Sequence, residues 1–213
     1  THAVVAPADP ERYDHHIPVG AALAHYIADR LRNDAWQRVG VSWGMTIQAA
    51  IDRMARSSHP DLEIISMIGG TSRGDNFNSF GIASGLANRL GAHYSLLAAP
   101  VFLAPQVDRA AFLAQEIFTD HYDKLNRLDA AIITTGDISN RSYLISTGLP
   151  GGTETTELTK AGVVGEIVGQ FLDASGQVVP TRLDDSRIGI DLDVLRRVPE
   201  RVLAAAGAHK III

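Results

Sequence analysis

The sequence predicts an α/β fold: a mostly parallel sheet flanked by helices on both faces. Two observations carry that expectation. Short, nearly continuous apolar runs at residues 39–41, 62–68, 94–98 and 130–134 alternate with helix-like stretches, as in strands buried on both faces. Four runs also end in short polar tails containing glycine: 42–46, 69–74, 135–138 and 207–210. If the four strands are neighbours in one parallel sheet, their tails share an edge, where open α/β sheets bind ligands.

Residues 1–18 hold Pro7, Pro10 and Pro18 with His2, His15 and His16, and read as a solvated linker. Residues 19–31 carry a helical apolar face through Ala24, Ile27 and Leu31, and a strand at Val39 follows. A helix over 47–57 presents Ile47, Ala50, Ile51 and Met54 on one face, with Thr46 as its N-cap. A strand at 62–68 precedes a helix at 79–90, for which Asn78 is the expected cap. Next come a strand at 94–98, helices at 109–118 and 122–128, a strand at 130–134 and a short helix at 157–161. Residues 165–172 and 178–179 read as a hairpin turning at 173–176, and 187–190 as another strand. A helical turn at 192–196 and a strand at 202–206 complete the series. No repeat of solenoid period is visible.

Composition narrows the function classes. The chain has 213 residues, 46% of them hydrophobic, a formal charge of −5 and no cysteine. That length buries a sizeable core. Disulfides and thiolate metal sites are excluded, and the mild acidity offers no basic face for nucleic acid. No apolar run reaches the length of a membrane span, and the start lacks a signal-peptide pattern. The apolar ending at 211–213 reads as an interrupted strand, so the expectation is a part of something longer.

The tails carry the chemistry. Gly40 and Gly44 permit a tight turn, Ser42 and Thr46 supply hydroxyls, and the helix beginning there offers free N–H groups to an anion. Gly69 and Gly70 expose backbone amides in the same way. Arg73 is either a donor fork for phosphate or a surface arginine, and Asn76 either a contact for sugar hydroxyls or a helix cap. Gly136 and Asp137 in one tail, with Glu166, suit the vicinal hydroxyls of a polyol. The two carboxylates equally suit a general acid/base pair, as in a sugar isomerase. Lys210 can meet an anionic group, and Trp43 can stack on a sugar. The remaining histidines show no nucleophile-and-base spacing, and His15-His16 lacks the carboxylates of a metal site, so neither cofactor nor metal is expected.

Taken in order, several stretches resemble the effector-binding domain of SorC/DeoR-type sugar-responsive bacterial transcriptional regulators. They are VGVSWGMT (39–46), Gly69-Gly70, LGAHYSLLAAP (90–100) and GVVGEIVGQF (162–171) with Asp173 and Gly176. Ile188-Gly189-Ile190 and PERVLAAAGAHK (199–210) complete the set, which covers nearly everything after Pro18. The resemblance implies a Rossmann-like fold akin to sugar-phosphate isomerases and glucosamine-phosphate deaminases, used for sensing without catalysis. It implies ligand contacts at Ser42, Gly44, Thr46, Gly69, Gly70, Glu166 and Lys210. It further implies a linker at 1–18 from an N-terminal helix-turn-helix, an effector domain over 19–213, and a helix and strand following Lys210. The effector would be a sugar, sugar phosphate or sugar alcohol. DNA would be bound only through the N-terminal module, in a cytoplasmic homo-oligomer, dimer or tetramer, without membrane contact. The rival expectation is an active isomerase or deaminase using Asp137 or Glu166 as base.

Three positions depart from the family pattern. Met45 stands where a basic residue is common, Glu166 replaces the usual aspartate, and Ala208 replaces a glycine. The first weakens the phosphate side, the second reaches one methylene further into the pocket, and the third crowds the backbone before Lys210. That leaves a non-phosphorylated or differently placed polyol open as the effector.

Overall fold

A computed structural model describes residues 2–7, 9, 14–33, 36–71, 77–150, 155–210 and 213. The helices are α1 (His16–Arg32), α2 (Met45–Arg53), α3 (Ser79–Leu90), α4 (Arg109–Leu113), α5 (Glu116–Leu125), α6 (Tyr143–Thr147), α7 (Thr155–Lys160) and α8 (Leu192–Arg197). The strands are β1 (Arg38–Val41), β2 (Glu63–Ser66), β3 (His93–Ser95), β4 (Ala130–Ile133), β5 (Gly136–Asp137), β6 (Gly165–Ile167), β7 (Gln170–Leu172) and β8 (Glu200–Leu203).

Five strands form a parallel sheet in the order β3-β2-β1-β4-β8. Alternation along them explains the continuous apolar runs. Val39, Val41, Ile64, Ala130 and Ile132 join the core under α1, α2 and α3. Ile65, Met67, Ala131 and Ile133 join the opposite core, with Leu125, Phe171, Ile190 and Leu195. With both faces covered, a strand has no polar side to show in its sequence. Order reverses between β1 and β4: β2 and β3 extend to one side of β1, β4 and β8 to the other. A crevice therefore opens at their carboxyl ends. A second, antiparallel sheet of β5, β6 and β7 stands beyond β4 and pairs Gly136 with Glu166.

Local chemistry sets the helix ends. The Asn78 Oδ1 accepts the Gly81 N–H at 2.7 Å, and Gly91 closes α3 in the left-handed conformation (φ 59°, ψ 38°). α1 lies hard against α2: a Cβ on Gly20 would sit 2.6 Å from Ala49 Cβ. The same helix is tied to β8, since Glu200 accepts hydrogen bonds from Tyr26 Oη (2.5 Å), Arg30 Nη2 (2.6 Å) and Trp36 Nε1 (3.0 Å).

Three expectations are corrected. Thr46 lies inside the first turn of α2, and Gly44 (φ 117°) holds the N-cap position instead. The chain first reverses at Val168-Gly169, where both residues have positive φ (47° and 78°), and then again at 173–176, where Asp173 N–H donates to Gln177 O. Residues 187–190 form isolated bridges to Phe102 and Ile68 rather than a strand. Among the described residues no helix is long and apolar enough to cross a membrane.

The α1–α2 contact yields the first prediction. Gly20→Ala should destabilise the chain by about 1–3 kcal/mol through overpacking. Adding Ala49→Gly should recover only part of that loss, because the new Cβ also meets the Ala49 C and Ala50 N backbone atoms at 2.9 Å, as read by denaturant unfolding of all four members of the cycle. Strictly additive effects would show that the close approach is not the cause.

Candidate functional site

A cavity of about 290 Å³ occupies the crevice where the strand order reverses. The tails of β1, β4 and β8 enter it, bringing Gly44 and Thr46, Gly136 and Asp137, and Lys210 respectively. Glu166 enters from β6 because the β5–β6 register sets it opposite Gly136. These six expected site residues therefore meet in one place.

Other expected contacts do not. Ser42 is 1% exposed and is not among the cavity-lining residues. Its Oγ accepts the Thr134 N–H at 3.0 Å, while Thr134 Oγ1 donates to Trp43 O at 2.6 Å. Ser42 thus braces the β1 tail against the β4 tail. Gly69 and Gly70 also lie away from the cavity. Gly69 packs where a Cβ would come 2.6 Å from Pro100 O, and Gly70 lies against the Phe80 ring. Their bare Cα atoms serve close backbone packing. Arg73 and Asn76 lie outside the described residues.

Glu166 is 2% exposed. Its Oε2 accepts the Gly169 N–H at 2.8 Å. A Cβ on Gly136 would come 2.4 Å from its Oε1, so only glycine leaves room for this carboxyl. Burial pushes the Glu166 pKa up to about 7. The Gly169 N–H, the Lys210 ammonium and the Trp43 indole pull the other way and favour the charged form. Lys210 donates to Thr135 O, and Thr135 Oγ1 donates to Glu166 O at 3.0 Å. Burial lowers the Lys210 pKa, while the Asp137 and Glu166 carboxylates act to raise it.

The start of α2 forms another part of the lining. Thr46 is 7% exposed, lines the cavity, and its Oγ1 bonds no described residue. Gly44 N–H donates to Phe77 O at 2.9 Å, but the next amides, of Met45 and Thr46, have no partner among the described residues. Free amides at the positive end of a helix dipole suit a ligand oxygen. Aromatic rings complete the lining. The Tyr143 ring meets Trp43 edge-on (5.4 Å, 82°) and Phe77 likewise (5.1 Å, 72°), and its hydroxyl hydrogen bonds Thr71 Oγ1.

Several lining residues escape sequence reasoning. His15 and His16 reach the cavity from the start of α1, a correction to their reading as solvated linker. Tyr143 and Ser142 come from α6 and its N-cap; the polar run after the Gly136-Asp137 tail was the signal available for them. Ser142 Oγ is buried and bonds no described group, a condition that costs about 1–3 kcal/mol. Among the described residues, no group of three or more His, Asp or Glu is placed to hold a metal ion.

Carboxylates, an ammonium, the amides at the start of α2 and aromatic rings thus line one cavity, a lining chemically suited to a small, oxygen-rich ligand. Comparison with known proteins agrees with that class. A family model described as "Putative sugar-binding domain" matches residues 1–212, and the chain belongs to this family. It is 27% identical over 189 residues to the erythritol catabolism regulatory protein EryD of Brucella abortus (89% of this chain, 59% of the relative). It is 24% identical over 211 residues to the sorbitol operon regulator of Klebsiella pneumoniae (98% of this chain, 67% of the relative). Among solved structures, a DeoR family transcriptional regulator from Listeria monocytogenes superposes with a TM-score of 0.86 at 25% identity, over 97% of this chain and 81% of that one. The chain spans between about half and two thirds of the length of the curated relatives it matches. These relatives are named as regulators or regulatory proteins, so the enzyme alternative is not favoured.

The raised Glu166 pKa makes the second prediction. The folded chain holds this proton more tightly than the unfolded chain, whose carboxyl titrates at 4.5. The resulting stability is fully present below about pH 4.5 and is lost as pH rises through about 7. Between pH 4.5 and 8 the wild type should lose about 3 kcal/mol relative to Glu166→Gln, by urea unfolding without ligand. Parallel pH profiles for the two proteins would show that Glu166 does not titrate there.

Proposed function

We propose that this chain is the effector-sensing domain of a transcriptional regulator, binding a sugar, sugar phosphate or sugar alcohol reversibly in the crevice between β1 and β4. The observation that carries the reading is Glu166, a carboxyl buried in the wall of the same cavity that the open amides of α2 line. Glu166 and Asp137 would accept hydrogen bonds from vicinal hydroxyls. Thr46 Oγ1 and the Met45 and Thr46 amides would donate to other oxygens of the ligand. Trp43, Phe77 and Tyr143 would cover the C–H faces of the carbon chain. Erythritol and sorbitol in the names of two relatives support a polyol or its phosphate. Ser42, Gly69 and Gly70 serve as braces in this reading.

Sensing needs two states with different affinities. The effector would favour one arrangement of a homo-oligomer and so shift its binding to DNA, which a segment outside this chain would contact. Such a regulator would work in the cytoplasm, with the DNA.

Thermal unfolding against a panel of sugars, sugar phosphates and sugar alcohols tests the proposal. A ligand at about 100 times its Kd adds about 2.7 kcal/mol, a visible rise in Tm. Thr46→Val should weaken binding by about 1 kcal/mol, and Glu166→Gln by about 1–3 kcal/mol, with the fold intact. A panel without a single stabilising compound would count against the sensor reading. Full affinity in both variants would place the ligand elsewhere.

A further inference from the structure

We propose that His15 and His16 contact the bound effector directly, select for an oxygen at its outer end, and tie cavity occupancy to the position of α1. This rests on the sensor reading above but concerns residues that neither the sequence nor the family resemblance assigns to the site.

Three observations carry it. First, both histidines line the cavity that also holds Thr46, Glu166 and Lys210. An imidazole can donate from one ring nitrogen and accept at the other, so it suits a hydroxyl, and it can donate to a phosphate oxygen. Second, both sit at the start of a helix that is fixed at two further points. Gly20, four residues on, lets α1 press against Ala49 of α2, the helix whose first turn carries Thr46 to the cavity. Tyr26 and Arg30 anchor α1 to Glu200 of β8, whose tail delivers Lys210. Third, α1 is a single helix of 17 residues. A ligand held between its first residues and the strand tails would bridge one rigid body to the sheet. The chain entering α1 at Asp14 would then be held at one more point when the cavity is filled.

The test uses the intact chain with erythritol, sorbitol and sorbitol 6-phosphate as probes. Thermal unfolding first identifies which of them binds. The ring C–H signals of the eight histidines are then followed by NMR during titration with that probe. Signals absent from His15→Gln and from His16→Gln identify the pair. The expected result is that these signals shift on binding while that of His59, remote from the cavity, does not. A His15→Ala/His16→Ala variant that still unfolds cooperatively should bind about tenfold more weakly, having lost two hydrogen bonds to the ligand. A shift with the neutral polyols identifies a hydroxyl as the outer oxygen, and one with sorbitol 6-phosphate alone identifies the phosphate. A probe that stabilises the wild type yet leaves both signals in place overturns this inference and leaves the sensor reading standing. A wild type stabilised by none of the three overturns the inference together with the polyol reading beneath it.

Discussion

A carboxyl group buried between two sheets is the constraint on which the rest of this site depends. Burying the Glu166 charge is costly, and the Gly169 N–H, the Lys210 ammonium and the Trp43 indole offset part of that cost. The Gly169 N–H binds one oxygen, and the other occupies space left by the missing side chain of Gly136. That arrangement needs a turn tight enough to aim an amide back at the third residue before it. The turn has Val168 at φ 47°, an uncommon conformation for a β-branched residue. It is held by its surroundings: Arg187, itself buried, donates to Val168 O at 3.2 Å and to Ile190 O at 3.0 Å. Strain retained beside a functional group in this way indicates that the position of the group matters more than local stability.

The crevice itself follows from strand order. β1 and β4 are neighbours whose helices leave toward opposite sides, so their tails diverge and leave a gap. Two adjoining tails would otherwise be free to collapse together. The Ser42–Thr134–Trp43 hydrogen bonds prevent this by fixing the spacing just above the last paired residues. A hydroxyl that reads in sequence as a ligand contact is thereby spent on keeping the ligand space open.

This distinction explains which parts of the molecule were legible in the sequence. The parallel sheet was, because Ala130–Ile133 is buried at every position and so shows no alternation. α3 was legible to the residue, since Asn78 and Gly91 mark its two ends chemically. The tails were legible as polar and glycine-bearing, but side chains on extended backbone alternate in direction, and sequence does not say which residue faces the gap. Thr46 faces it and Ser42 does not. Gly69 and Gly70 look like ligand-binding glycines, yet Pro100 and Phe80, distant in sequence, are what require them. His15 and His16 could not be placed without the α1–α2 contact, because only tertiary packing brings the first helix to the carboxyl end of the sheet.

The cavity walls are thus drawn from the start of the chain, from its middle and from its end, and this bears on what the site is suited to do. A catalytic pocket gains by holding its reacting groups on rigid elements whose geometry does not change with occupancy. Here Glu166 and the strand tails provide such a floor, and His15 and His16 at the start of α1 add to the lining from a helix. A ligand that spans both exchanges binding energy for a defined position of that helix. If the effector bridges α1 to the strand tails as proposed, it passes a signal only by binding two positions of α1 with different affinity, since a ligand that binds both equally shifts nothing. The fixed carboxyl and the helix-borne histidines are what would make such a difference possible.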